Sequence, residues 1–469
     1  MKYQAQYNRG IAVILVLVFA GTLMLSSAAL MSFVLGQSKL GVGKIVREQA
    51  FSIAEAGLEY YHWFLTVYPD DLTNGTGGPG PYVHTYSDPQ DGPVGEFSLS
   101  VQGNIACGVV QSIDVTSVGT VDTDSRFTRT LTARHAKPSV AEYAYVTNSS
   151  LWMGVGEDVV GAFHSNGGIR MDGENNALVT SAVSSWTCTS GFGCSPDQSV
   201  DGIFGAGGGG DLWQYPVGEI VFDDIVQDVS DLKTYAQTGG GLYFALSGES
   251  DAVGHHFIFN SNDTVDVYEV TGTSGEWAWN SNYGYDYSGY DGWRWEYNAI
   301  TNQSYIGNYA IPSDCSLIFS EDKVWVEGTV SGKVTLVAAD TGSYDPDIVV
   351  HDDLDYSVLD GSAGLTLIAE ENLLISSQSP NDLIMRGIFV AQDGHFGRNY
   401  YDGNMRDTLT VQGTIVSNGR ENAKWTCGSS FCSGYDTRIN SYDRHLTTSP
   451  PPFTPAHSQD PEYVLWQEN

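Results

Sequence analysis

The sequence predicts a mainly β protein with a long N-terminal α-helix. Behind the helix it predicts a small α+β head, then an irregular parallel β-solenoid interrupted by an α+β insertion. An antiparallel β-sandwich is the alternative for the strand-rich part. Three observations carry this. No proline occurs from Met1 to Val67, and apolar residues dominate or recur at helical spacing throughout that stretch. The remainder is rich in Gly, Ser, Thr, Asn and aromatics, while charged residues are only 16% of the chain. Short β-branched runs separated by Gly, Asn and Asp turns fill most of it.

The helix has two halves. No charge lies between Arg9 and Lys39, and Ile11 to Leu35 is almost wholly apolar. At ~1.5 Å per residue, about 20 such residues cross a ~30 Å bilayer core. The run exceeds the ~7–15 residues of a secretory signal core, although Ser26-Ser27-Ala28-Ala29 also fits a signal peptidase site. In "VREQAFSIAEAGLEYYHWFL", Ala50, Ile53, Ala54, Gly57, Leu58, Tyr61 and Leu65 fall on one face and Arg47, Glu48, Glu55 and Glu59 on the other. Gly41 and Gly43 weaken the join. One continuous helix is the first reading, and an anchor followed by a separate helix the second.

The Arg9-Gly10 junction, the apolar run and "REQAFSIAEAGLEYYHWF" resemble the N-terminal region of PilX-type minor pilins, over roughly residues 5–65. The segment "AFSIAEAGLE" is the most specific part. The resemblance implies a leader over 1–10, cut between Gly10 and Ile11 by a prepilin peptidase. It further implies a helix over 11–68 with a transmembrane part at 11–35, and a pilin-like head over 69–140. Major pilins carry a glutamate five residues after the cut, where this chain has Leu15. That departure points to a minor or tip subunit. The implied partners are other pilin subunits, met through the helix, and the cytoplasmic membrane, which the helix crosses once before assembly. The ectodomain would be extracellular, at the cell surface or on a pilus.

Charge narrows the partners further. Acidic residues number 56 against 21 basic ones, and all but one of the acids follow residue 50. Such a body repels phosphate backbones and anionic lipid, so no nucleic-acid partner is expected. "WTCTSGFGCS" holds Cys188 and Cys194, and "WTCGSSFCS" holds Cys427 and Cys432. These similar loops suit local disulfides in an oxidising compartment. The alternatives are reduced structural cysteines and a four-cysteine zinc site, the latter without a strong motif around it. Cys107 and Cys315 are left to pair with each other or to be buried singly.

Residues 69–95 are dense in Gly and Pro and read as a loop. "GEFSLSVQG", "IDVTSVGTV" and "RFTRTLTARH" then alternate like strands of a small sheet that the helix covers. Solenoid runs occupy 141–194 and resume over 316–449. "AFHSNGGIRMDG" and "GTVSGKVTLVAAD" with "LTLIAEENLLI" look like β-helical ectodomains attached to PilX-like N-termini. The insertion at 195–315 contains "FDDIVQDVSDLKTYAQ", a helix with Ile225, Val229, Leu232 and Ala236 on one face and Asp223-Asp224 at its start. A Pro-rich tail closes the chain over 450–469.

Chemistry is sparse. "GAGGGG" lacks a lysine and a βαβ setting, so it cradles no phosphate. No G-x-S-x-G, H-E-x-x-H or G-K-[ST] occurs. No catalytic residue is assigned and no enzyme is expected; a carbohydrate-active enzyme acting through paired carboxylates is the third reading. No cofactor is required. Asp345, Asp347, Asp352, Asp353 and Asp355 form an oxygen-rich run for which calcium and solvated turns are the two readings. From Trp277 to Tyr297, nine of 21 residues are Trp or Tyr. Trp277, Trp279, Tyr285, Tyr290, Trp293 and Trp295 are there to contact a surface, a glycan or a neighbouring subunit, or to pack on the β body. The functional expectation is a minor or tip pilin-like surface protein presenting an acidic ectodomain for adhesion or filament priming. A single-pass anchored adhesin is the runner-up.

Overall fold

The computed structural model describes residues 7–69, 71–90, 92–225, 227–247, 253–283, 291–342, 344–428 and 430–469, with side chains from residue 10 on. The chain is mainly β with one long N-terminal helix, and it divides into two compact units. One comprises 1–102, 114–133 and 465–469; the other comprises 103–113 and 134–464.

In the first unit, helix α1 (Tyr7–Val67) is continuous through Gly41 and Gly43. All seven apolar positions on its predicted face, from Ala50 to Leu65, are buried, while Arg47, Glu48, Glu55 and Glu59 are exposed. They pack on a sheet of β1 (Tyr82–Asp88), β2 (Gly92–Ala106), β3 (Val109–Val121) and β4 (Thr128–Ala136), in that order. β3 shows the period of two expected of a half-buried strand: Val115, Ser117, Gly119 and Val121 face the helix. Small residues set the spacing. A Cβ on Gly119 would stand 2.1 Å from the Ala50 carbonyl oxygen, and one on Gly57 would stand 2.3 Å from the Ser117 hydroxyl. This gives the Ala50–Glu59 segment its physical meaning: Ala50, Ala54 and Gly57 let the helix lie directly on strand backbone.

The structure corrects two sequence expectations. The stretch 69–95, read as loop, contains β1, which pairs antiparallel with β2. The Pro-rich tail contains strand Glu462–Glu468, the neighbour of β4. Both are edge strands, stabilised by pairing that local composition does not encode.

The second unit is a parallel solenoid. Parallel rungs stack Leu242, Ile318, Leu336, Leu367, Phe389, Ile415, Tyr145, Phe163, Val179 and Trp213 in one register-matched column. All of these residues belong to or pack against one core cluster. The pairing excludes the sandwich, because sandwich strands run antiparallel. The stacking order departs from chain order. The chain enters the stack in its middle at Tyr143, reaches one end by Trp213, and restarts at the other end with Leu242.

The crossing between the ends runs over the sheet's outer face. Ile220 exchanges hydrogen bonds with Asn166, the Gln227 amide donates to Gln392 at 3.0 Å, and Lys233 pairs with Glu321. The helical part differs from the single helix expected over 222–237. Phe222–Ile225 and Val229–Thr238 are separate, and Asp228 caps the second by accepting from the Ser230 and Asp231 amides. Ile225, Leu232 and Ala236 cover Phe319, Val337, Ile368 and Val390. This sheet is therefore buried on both faces, the reason its strands read as continuous apolar runs.

The segment 195–315 is thus only partly an insertion. Trp213–Gln214, Leu242–Phe244 and Gly254–Asn260 are rungs of the solenoid. The first two are too short to display any period. Besides the helical crossing, the segment contains a long antiparallel hairpin, Thr264–Trp279 with Trp293–Ala310, whose first strand also pairs with Gly254–Asn260. All six cysteines are paired: Cys107–Cys315, Cys188–Cys194 and Cys427–Cys432.

Candidate functional site

Two surfaces stand out, one in each unit. The first is the apolar half of α1. Sixteen large apolar side chains between Ile11 and Leu35 are more than half exposed, with Leu23 at 71%. Burying one such side chain is worth roughly 1.5–3 kcal/mol, so the segment carries some tens of kcal/mol of unmet burial in water. Two of its hydroxyls bond within the helix: Thr22 donates to the Phe19 carbonyl at 2.9 Å and Ser27 to the Leu23 carbonyl at 2.8 Å. Internal satisfaction of this kind is what a low-dielectric medium requires of a polar group. The helix Gly10–Val67 is long and apolar enough to cross a membrane. Gly10 and Ile11 lie within continuous helix, both exposed.

The second surface is the hairpin. Directly opposed residues of an antiparallel pair share a face. Trp277 opposes Trp295 and Trp279 opposes Trp293, while Glu276 opposes Glu296 and Ala278 opposes Arg294 between them. Ala278, Glu296 and Asn298 point inward and are buried. Glu296 accepts from the Tyr283 and Tyr401 hydroxyls, each at 2.6 Å, from Asn298 at 3.0 Å and from Asn399. Trp325 donates to the Asn298 carbonyl at 2.7 Å. His395, driven down to about 3 by burial, meets Asn280 at 2.9 Å and stays neutral.

The indoles take the opposite face. Trp277 and Trp293 stack with centroids 5.8 Å apart and planes 11° apart; Trp295 leans on Trp277 at 5.4 Å. Trp293 meets the edge of Tyr400 at 5.8 Å, and Trp279 meets Trp425 at 5.2 Å. Tyr400 and Trp425 extend the strip, and sequence reasoning missed both because each lies over a hundred residues downstream. Tyr285 and Tyr290 fall outside the described residues.

The aspartate run does not stay together. Asp353 accepts the Ile384 amide at 2.8 Å, Asp355 pairs with Arg386 at 2.6 Å, and Asp347 accepts from the Asn372 side chain at 2.9 Å. Asp352 is exposed. Asp345 and Asp347 instead add their charge to a corner holding Glu370 and Glu371. Among the described residues, no group of three or more His, Cys, Asp or Glu is placed to hold a metal ion.

That corner gives a pH prediction. Burial first, then Asp345 and its neighbours, push Glu370 and Glu371 from 4.5 up to about 7 each. Between those values the folded chain holds protons the unfolded chain has released, so stability falls as pH rises through that window. The thermal midpoint of the solenoid should drop from about pH 5 to about pH 8. Glu370→Gln with Glu371→Gln should remove most of that slope in calorimetry at both pH values.

No family model matches the chain, and no curated protein matches it. Among solved structures, the chain is similar to the competence-associated pilin ComZ from Thermus thermophilus. The identity is 13% and the TM-score 0.31, over 90% of this chain and 97% of that one. A likeness that distant leaves the function to be read from this chain's own residues.

Proposed function

We propose that the chain is a minor or tip pilin-like surface protein. One observation carries this reading: a single unbroken helix buries its second half on its own antiparallel sheet and leaves the first half apolar, charge-free and exposed. Such a helix has two media available, lipid before assembly and the helices of neighbouring subunits afterwards. In this reading a prepilin peptidase cuts after Gly10, and the solenoid is displayed outside the cell for adhesion or filament priming. The size of the body favours a tip or sparse position, since about 400 residues behind one helix would crowd a repeating lattice.

Mass spectrometry of the N-terminus, on protein from sheared surface filaments and from membranes, tests the proposal. The expected chain starts at Ile11 with a methylated amine and is found in the filament fraction. A chain starting at Met1 and confined to membranes would replace it with an anchored adhesin. A start near Ala28 to Leu30 would make it a secreted protein.

A further inference from the structure

The two faces of the hairpin differ in what they meet. The inner face seats the hairpin through Ala278, Glu296 and Asn298; on the opposite face Trp279 and Trp293 lean on Trp425 and Tyr400, and Trp295 is left in solvent. Exposed Trp is expensive in water, and a contiguous patch of it marks a contact surface. Trp295 is 58% exposed, with Trp277 and Trp293 half-buried beside it. Gly275 shapes the patch: a Cβ there would stand 3.0 Å from the Tyr297 ring and 3.2 Å from Trp295. Its absence lets both rings lie close to the strand.

We propose that this face binds a neutral polysaccharide, with Trp277, Trp293, Trp295 and Tyr297 as the stacking platform. The proposal names the ligand class for the adhesive side of the reading above, and takes from that reading its setting at the cell surface. Three features select the occupant. The patch is made of flat rings with polar edges. A pyranose offers a matching apolar C–H face bordered by hydroxyls, and indole and phenol rings offer a large apolar area with a polar tip. The rings brace one another at 5.4 and 5.8 Å, so little side-chain entropy remains to be lost on binding. Charge selects among polysaccharides. A chain of net charge −35 repels uronate or sulfate polymers and so favours uncharged chains over anionic ones.

The test uses the full chain in a sugar-free zwitterionic detergent, titrated with cellohexaose, chitohexaose and mannohexaose and followed by tryptophan emission and calorimetry. Polygalacturonate is the anionic control. The expected result is saturable binding of at least one neutral chain, insensitive to added salt. Trp277→Ala and Trp295→Ala should each weaken it about ten-fold, and Trp295→Phe should retain most of it. Far-UV circular dichroism checks that the variants fold. No binding by any neutral chain overturns the proposal, as does binding that survives the paired alanine variant, or equal binding of polygalacturonate. Self-association lost in Trp295→Ala, with no sugar bound, would assign the face to a protein contact instead. None of these outcomes bears on the N-terminus, so the filament reading stands or falls separately.

Discussion

Arg438→Met should be among the most damaging single substitutions in the solenoid. Arg438 is 3% exposed at the seam where the solenoid's earliest strands stack on its latest: it pairs in register with Glu157 across parallel strands Ser430–Ser441 and Glu157–Val160. Its guanidinium donates to both oxygens of Glu421 and, at 2.8 Å, to the Tyr145 hydroxyl; Glu157 lies 3.8 Å away. Burial pushes Glu421 up, and Arg438 is the main group opposing it. Removing the guanidinium strands two buried carboxylates, worth about 3–5 kcal/mol. The loss should shrink at acid pH, because a protonated Glu421 needs no counter-charge. Urea unfolding at two pH values measures this. Arg438→Met with Glu421→Gln should recover part of the loss in a double-mutant cycle. A single-variant loss under about 1 kcal/mol would mean the seam is held by rung stacking alone.

Gly119→Val should loosen the first unit to a similar degree. A side chain there meets the backbone of Ala50 and Ala54, which cannot swing aside as a rotamer can. The helix must lift from β3, losing contacts of Ile53, Leu58 and Tyr61 together. Overpacking costs about 1–3 kcal/mol where side chains can adjust, and this case should exceed that range. The readout is protease cleavage within Ala50–Leu65, silent in the wild type and rapid in the variant. Gly78→Ala is the control, since nothing lies within 4 Å of a Cβ there. On the filament reading, Gly119→Val also lowers surface incorporation, because the helix no longer carries a fixed head.

The helix face and the seam differ in how legible they are. The face that Gly119 touches could be read from spacing: Ala50, Ile53, Ala54, Gly57 and Leu58 declare a helix face, and helix contacts are local. The seam at Arg438 could not. Its partners, Glu157 and Tyr145, lie almost 300 residues upstream, and parallel rungs with similar apolar runs give no clue to their order. The aspartates show the converse error. Asp345 to Asp355 are neighbours in sequence, but a strand turns successive side chains to opposite sides, and Asp355 leaves to pair with Arg386.

The sequence by itself determined the long helix, the division of that helix into an exposed apolar half and a half seated on a sheet, and the recurrence of short buried strands. These follow from periodicity within one element, where backbone geometry fixes which residues share a face. Tertiary structure alone decided that the solenoid starts in its own middle, that Cys107 and Cys315 pair across more than 200 residues, and that the indoles face outward. The last was set by Glu296 and Asn298, whose hydrogen bonds to Tyr401, Asn399 and Trp325 turn one face of the hairpin inward. A buried polar side chain must find hydrogen-bond partners, and those of Glu296 are assembled only when the chain has folded.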